Sequence, residues 1–115
     1  MVYQPPKDMS SIVQSFFSSL ATKDHGALFK MFAADGSLTD FESGAHRTSR
    51  IEAFFRDWPK ALTVKQGNVQ LQTHSATVTV TLVGGGFTKP TEAKFNFHCT
   101  EDFKLQALRM ELSSK

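Results

Sequence analysis

Hydrophobic positions change their spacing near residue 60, and that change divides the chain. From Met9, Ile12, Phe16 and Leu20 recur at i, i+4 and i+8, with Val13 and Phe17 widening the stripe. This is the period of an amphipathic helix, and Asp8 or Ser10 suits its N-cap. Pro5-Pro6 keeps the preceding residues out of that helix. Lys23-Asp24-His25-Gly26 breaks the pattern. Asp24 then caps a second, shorter helix whose apolar face is Leu28, Phe29 and Phe32, predicted to end at Asp35-Gly36. Ser37 to Phe41 reads as a short strand, and 42–47 as a loop. Ser49-Arg50-Ile51-Glu52 matches a capping box and predicts a third helix, with Ile51, Phe54, Phe55 and Trp58 buried and Pro59 as its stop.

Beyond residue 60 the period becomes two. Val69, Leu71 and Thr73 alternate with Gln70, Gln72 and His74. Val78, Val80 and Leu82 alternate with Thr77, Thr79 and Thr81, and Phe95, Phe97 and Cys99 with Asn96, His98 and Thr100. A final strand runs from Leu105 to Leu112. Such half-polar alternation predicts antiparallel, hairpin-connected strands. Gln66-Gly67-Asn68 predicts a bulge. Gly84-Gly85-Gly86, prolonged by Lys89-Pro90, predicts a wide loop. The fold class is therefore α+β: three N-terminal helices packed in a strongly curved antiparallel or mixed sheet that forms a cone. The mouth of such a cone is a natural ligand pocket. Residues 1–8 read as a polar arm, and 9–115 as a single domain.

Composition narrows the function classes. The chain has 115 residues, enough for one modest core. Lys+Arg 13 against Asp+Glu 11 gives a net charge of +2, too even for a dedicated nucleic-acid binder, which carries a clustered basic patch. Eleven Phe residues argue for a packed interior and against disorder. No apolar run reaches the ~20 residues of a membrane span, and the start lacks the apolar core of a signal peptide. A cytoplasmic location is the expectation. One cysteine, Cys99, allows neither an internal disulfide nor a CxxC motif. The four histidines show no metal-ligand spacing, so no metal or cofactor is expected. The triple glycine matches neither phosphate-binding fingerprint.

Certain stretches carry a family resemblance. They are Ile12-Val13-Gln14-Ser15-Phe16-Phe17-Ser18-Ser19-Leu20, Leu28-Phe29-Lys30-Met31-Phe32-Ala33-Ala34-Asp35, Leu38-Thr39-Asp40, Gly44 and Ile51-Glu52-Ala53-Phe54-Phe55. In this order they resemble the nuclear transport factor 2-like superfamily, which includes ketosteroid isomerase and SnoaL-like polyketide cyclases. The resemblance spans about Ser11 to Leu112. It implies the cone fold and, because the fold serves enzymes and binding modules alike, leaves the activity open.

It also implies candidate residues. Asp40 stands where ketosteroid isomerase-like members place a proton-shuttling Asp at the end of the first strand. Desolvation over apolar walls would suit it to general-base work; the plainer reading is a solvated carboxylate at a strand end. His46, in the glycine loop, could orient it as an Asp–His pair, or could be an exposed loop residue. Isomerase chemistry also needs a Tyr and a protonated Asp as oxyanion donors. The resemblance puts Phe16 at the tyrosine position, and Phe97, His98 or Cys99 at the other. Phe donates no hydrogen bond. Phe16, Phe29, Phe32, Phe55, Trp58, Phe97 and Cys99 are the candidate pocket walls, and equally candidate core. The Thr77/Thr79/Thr81 ladder with Gln70 and Gln72 gives the sheet a polar, uncharged outer face, and the resemblance implies a homodimer through it.

Three functions compete. One is a SnoaL-like domain binding a hydrophobic small molecule in its cone. The second is a lyase, isomerase or cyclase using Asp40 as base. The third is a non-catalytic protein-interaction module, with a filled cone and an exposed apolar patch.

Overall fold

The structure is a computed structural model that describes residues 8–40, 45–57 and 62–112, and only the backbone of 45–49. Trp58 lies outside the described residues. Helix α1 (Met9–Ala21) begins where the Asp8 carboxylate accepts the Ser11 N–H at 2.8 Å, satisfying one of the free donors of the first turn. That hydrogen bond holds the exposed Asp8 carboxyl below its usual pKa. Met9, Ile12, Val13 and Phe16 form the buried face of α1. The helix stops at Thr22, and Lys23 turns the chain away in the left-handed region at φ 60. Asp24 caps α2 (His25–Lys30) in the same way, accepting the Ala27 N–H at 3.1 Å.

Strands β1 (Phe32–Thr39) and β2 (Ala45–Arg47) come next, then α3 (Thr48–Arg56). The helices are thus not one N-terminal block: a β-hairpin separates α3 from the first two. The first strand begins at Phe32 and not at Ser37, and Ala45–Arg47, with His46, pairs as a strand where the sequence predicts a loop. Two helix boundaries also differ, for identifiable reasons. Phe32 has helical spacing from Leu28, yet α2 ends at Lys30 because the Leu105 N–H takes the Met31 carbonyl at 2.7 Å and draws the chain into the sheet. Helix α3 starts at Thr48, so Ser49 sits inside the first turn and not before it.

Four long strands complete the sheet: β3 (Thr63–Leu71), β4 (Ser75–Gly84), β5 (Phe87–Cys99) and β6 (Leu105–Leu112). The spatial order is β2-β1-β6-β5-β4-β3, with β1 and β6 parallel and the other neighbours antiparallel. The register slips between Gln66 and Val69, at the predicted bulge. The glycine-rich segment is tighter than expected. Gly84 pairs with Phe87, and Gly85 and Gly86 (φ 57 and 101) form a two-residue turn that only glycine takes easily. Lys89 and Pro90 therefore belong to β5 rather than to a loop.

Register explains the core. Met110, Phe95, Val78 and Val69 form one cross-strand row, and Leu108, Phe97, Ala76 and Leu71 the next. Leu38 joins the second row from β1. Helix α1 packs against β3 and β4, α3 against β1 and β2, and α2 touches both other helices. The helices and the sheet's inner face thus share one apolar core.

Candidate functional site

Asp40 follows Thr39 directly at the end of β1 and is half-buried. Two features position it. Leu38, two residues earlier, is fully buried, and the β1–β2 pairing sets Thr39 against Ala45 and Leu38 against His46. Asp40 and His46 therefore flank one hairpin. The side chain of His46 lies outside the described residues.

The inner face next to this strand is built of phenylalanine. Phe16, on α1, is fully buried. It meets Phe97 edge-on at 5.1 Å between ring centroids, Phe17 at 5.3 Å, and Phe55 and Phe95 at 6.0 Å each. Phe17 stacks on Phe95 at 5.5 Å, and Phe32 reaches Phe55 at 6.5 Å. Edge-to-face packing of this kind adds to the energy of simple area burial. Of the candidate wall residues, Phe16, Phe32, Phe55, Phe97 and Cys99 thus come together in the buried core, and Phe29 packs against it half-buried. Among the described residues no polar or charged side chain is buried.

The pairing also shows which residue of β5 faces the interior. Phe97 and Cys99 point inward, whereas His98 is exposed between Ser75 and Ala107. Burial pushes the Cys99 thiol up to about 11, so it is a neutral thiol at physiological pH and a poor nucleophile. Phe16, Phe97 and Cys99 therefore bring no strong hydrogen-bond donor to this interior. Among the described residues, no group of three His, Cys, Asp or Glu side chains could hold a metal ion.

The outer face is polar, as the threonine ladder predicts, but it is not uncharged. Cross-strand neighbours bring charge beside the threonines: Lys94 opposite Thr79, Glu92 opposite Thr81 and Arg109 opposite Asn96. The single-strand alternation of β4 could not show this, because the charges arrive from β5, β6 and β3, whose Lys65 also lies opposite Thr81. A hydrogen-bonded chain crosses the sheet. Thr77 Oγ1 donates to Asn96 Oδ1 (3.0 Å), Asn96 Nδ2 donates to Glu111 Oε1 (3.3 Å), and Arg109 Nε pairs with the same oxygen (3.2 Å). At the β3 edge, Val69 and Leu71 lie on the core side of the sheet yet remain 39% and 48% exposed.

Sequence reasoning missed a groove of about 840 Å³ between α1, α2 and the β5–β6 turn, with Ser15, Lys30 and Phe103 among its walls. Neither Asp40 nor any candidate wall residue lines it. Its only local signal is the run of serines on α1.

No family model matches the chain, and no curated protein does. Solved structures do. A nuclear transport factor 2-like protein of unknown function from Cytophaga hutchinsonii superposes with a TM-score of 0.77 at 13% identity, over 98% of this chain and 95% of that one. The fold is that of the nuclear transport factor 2-like proteins. A suggested polyketide cyclase from Sinorhizobium meliloti has a TM-score of 0.78 at 21% identity, over 87% and 93% of the two chains. A suggested ketosteroid isomerase from Kribbella flavida has 0.78 at 13% identity, over 91% and 77%. At these identities the likeness to the nuclear transport factor 2-like proteins is one of fold. No described helix is long and apolar enough to cross a membrane.

Proposed function

We propose that this protein is a SnoaL-like domain that binds a hydrophobic small molecule against the inner face of its curved sheet, within the cone. Asp40 is the ionisable group at the site. The observation that carries the reading is an interior that, among the described residues, holds no buried polar or charged side chain. Phe16, Phe95 and Phe97 make the core behind the sheet's inner face wholly apolar and aromatic, and Asp40 stands half-buried at the end of β1. Losing one oxyanion donor typically costs about 3 kcal/mol of transition-state stabilisation, and the resemblance puts Phe16 at one donor position and Phe97, Cys99 or the exposed His98 at the other. Ketosteroid isomerisation is accordingly not the activity proposed.

The test uses a panel of steroids and polyaromatic ketones, with binding followed by the chemical shifts of the Asp40, Phe16 and Phe97 resonances. Micromolar binding is expected, changed at least several-fold by Asp40→Asn. A β,γ-unsaturated 3-ketosteroid should not isomerise above the buffer rate. Turnover abolished by Asp40→Asn would establish the enzyme reading instead, which the shared hairpin of Asp40 and His46 favours. Absence of any binding would favour the interaction module, which the exposed Val69 and Leu71 favour.

The polar network on the outer face supports a second part of the reading, a homodimer joined through that face. Thr77 and Asn96 are half-buried there and hydrogen-bonded to each other, so little side-chain entropy remains to be lost on pairing. Sedimentation velocity should give a dimer for the native protein and a monomer for Thr79→Arg, which sets a new cation beside Lys94. A monomeric native protein would remove this part.

A further inference from the structure

The groove between α1, α2 and the β5–β6 turn has the size of a small-molecule site, and its lining is chemically specific. The apolar part consists of Ile12 and Met31, with Phe103 on the turn. One wall carries the α1 hydroxyls of Ser15, Ser18 and Ser19, which make no side-chain hydrogen bond among the described residues. The charges balance. α2 and its cap bring Asp24 and Lys30, and the turn brings Asp102 and Lys104. None of the four forms an ion pair among the described residues, although one Asp24 oxygen is engaged by the Ala27 N–H.

The groove is also held in shape. The Leu105 N–H to Met31 O bond ties the turn to the end of α2. Within the turn, the Thr100 N–H donates to Lys104 O (2.8 Å), the Phe103 N–H to Thr100 O (2.9 Å) and the Lys104 N–H to Thr100 Oγ1 (3.2 Å). These bonds keep Phe103 at φ 58, a conformation bulky residues rarely take. The ring of His74 stacks on Phe103 at 5.0 Å and fixes the aromatic side chain. Strain retained at a cavity wall is a common mark of a functional surface.

We propose that this groove binds an amphipathic zwitterion of the aromatic α-amino acid class. A lining with one cation and one anion on each of two walls rewards neither a net anion nor a net cation. It rewards a ligand that carries both charges close together. The ligand carboxylate meets Lys30 and Lys104, its ammonium meets Asp102 and the free oxygen of Asp24, and its ring lies on Phe103 and Met31. The serine hydroxyls can donate or accept as the head group requires. The site is separate from the inner-face reading above and does not depend on it.

The experiment is a titration of the native protein with phenylalanine, followed by amide chemical shifts. Shifts should localise on Gly26, Ala27, Phe103 and Lys104. 3-Phenylpropionate, which lacks the ammonium, and phenethylamine, which lacks the carboxylate, should each bind at least tenfold more weakly. Lys30 and Lys104 are exposed, so Lys30→Gln with Lys104→Gln should leave the fold intact and weaken phenylalanine binding at least tenfold. Lys65→Gln, on the outer sheet face, should not change it. Absence of shifts at millimolar phenylalanine would overturn the proposal, as would shifts confined to Asp40 and the inner face. Equal binding of either single-charge analogue would also overturn it.

Discussion

Phe16→Ala is expected to lower the unfolding free energy by about 3–5 kcal/mol, the usual range for removing a fully buried phenylalanine. Phe16 is 0% exposed and touches the rings of Phe17, Phe55, Phe95 and Phe97. It links α1 to α3 and to β5, so the neighbours that would have to collapse into the hole belong to three different elements. Small shifts in one cannot fill the space left by the ring, and the cavity contribution should remain large. Native domains are stable by only about 5–15 kcal/mol in total, so this single change would remove a major fraction. Urea unfolding followed by far-UV circular dichroism reads the effect directly. A loss below about 1 kcal/mol would mean that the ring is not packed on all sides, and would place open volume at the centre of the inner face.

How far the sequence discloses this arrangement depends on whether the determinants are local. Asp8 and Asp24 announce their caps because the bond each makes closes within three residues. The alternation of Phe95, Phe97 and Cys99 with His98 shows which side chains are inside, since strand parity is a local property. The bulge beside Gly67 is legible for the same reason. The end of α2 is not, because Leu105, far along the chain, captures Met31. Charge on the outer face is hidden in the same way, since register alone sets Lys94 beside Thr79. Asp40 could be set on the same strand face as Leu38 from parity, but which groups share its surroundings is a matter of tertiary packing. The groove beside α1 is the extreme case. Its walls come from α1, α2 and the β5–β6 turn, and no segment of the sequence contains more than part of it.

Gly36→Ala is expected to destabilise the protein by about 1–3 kcal/mol, the range for forcing extra volume into a packed site. A methyl group at Gly36 would lie 2.7 Å from the Leu105 carbonyl oxygen and 3.1 Å from that of Ala33. Both neighbours are backbone atoms, which cannot swing aside as a long side chain would. The Phe32 ring edge, at 3.3 Å, closes a third direction. Gly36 stands between Phe32 and Ser37, where the parallel β1–β6 register slips, so the strands have adapted to a close approach that requires a missing Cβ. Leu105 also donates its N–H to Met31 O. Pressing on its carbonyl therefore strains the link that ends α2 and holds one wall of the groove. Gly26→Ala supplies the contrast. Its new methyl would meet only Asp24 Oδ1, at an ordinary 3.9 Å, inside a helix where alanine is favoured over glycine by about 1 kcal/mol. Thermal melts should move in opposite directions for the two variants, and hydrogen exchange of the Leu105 amide should accelerate only in Gly36→Ala. If both melted like the native protein, the β1–β6 junction would be looser than its geometry indicates, and Asp40, at the end of β1, would lose the rigid strand that positions it.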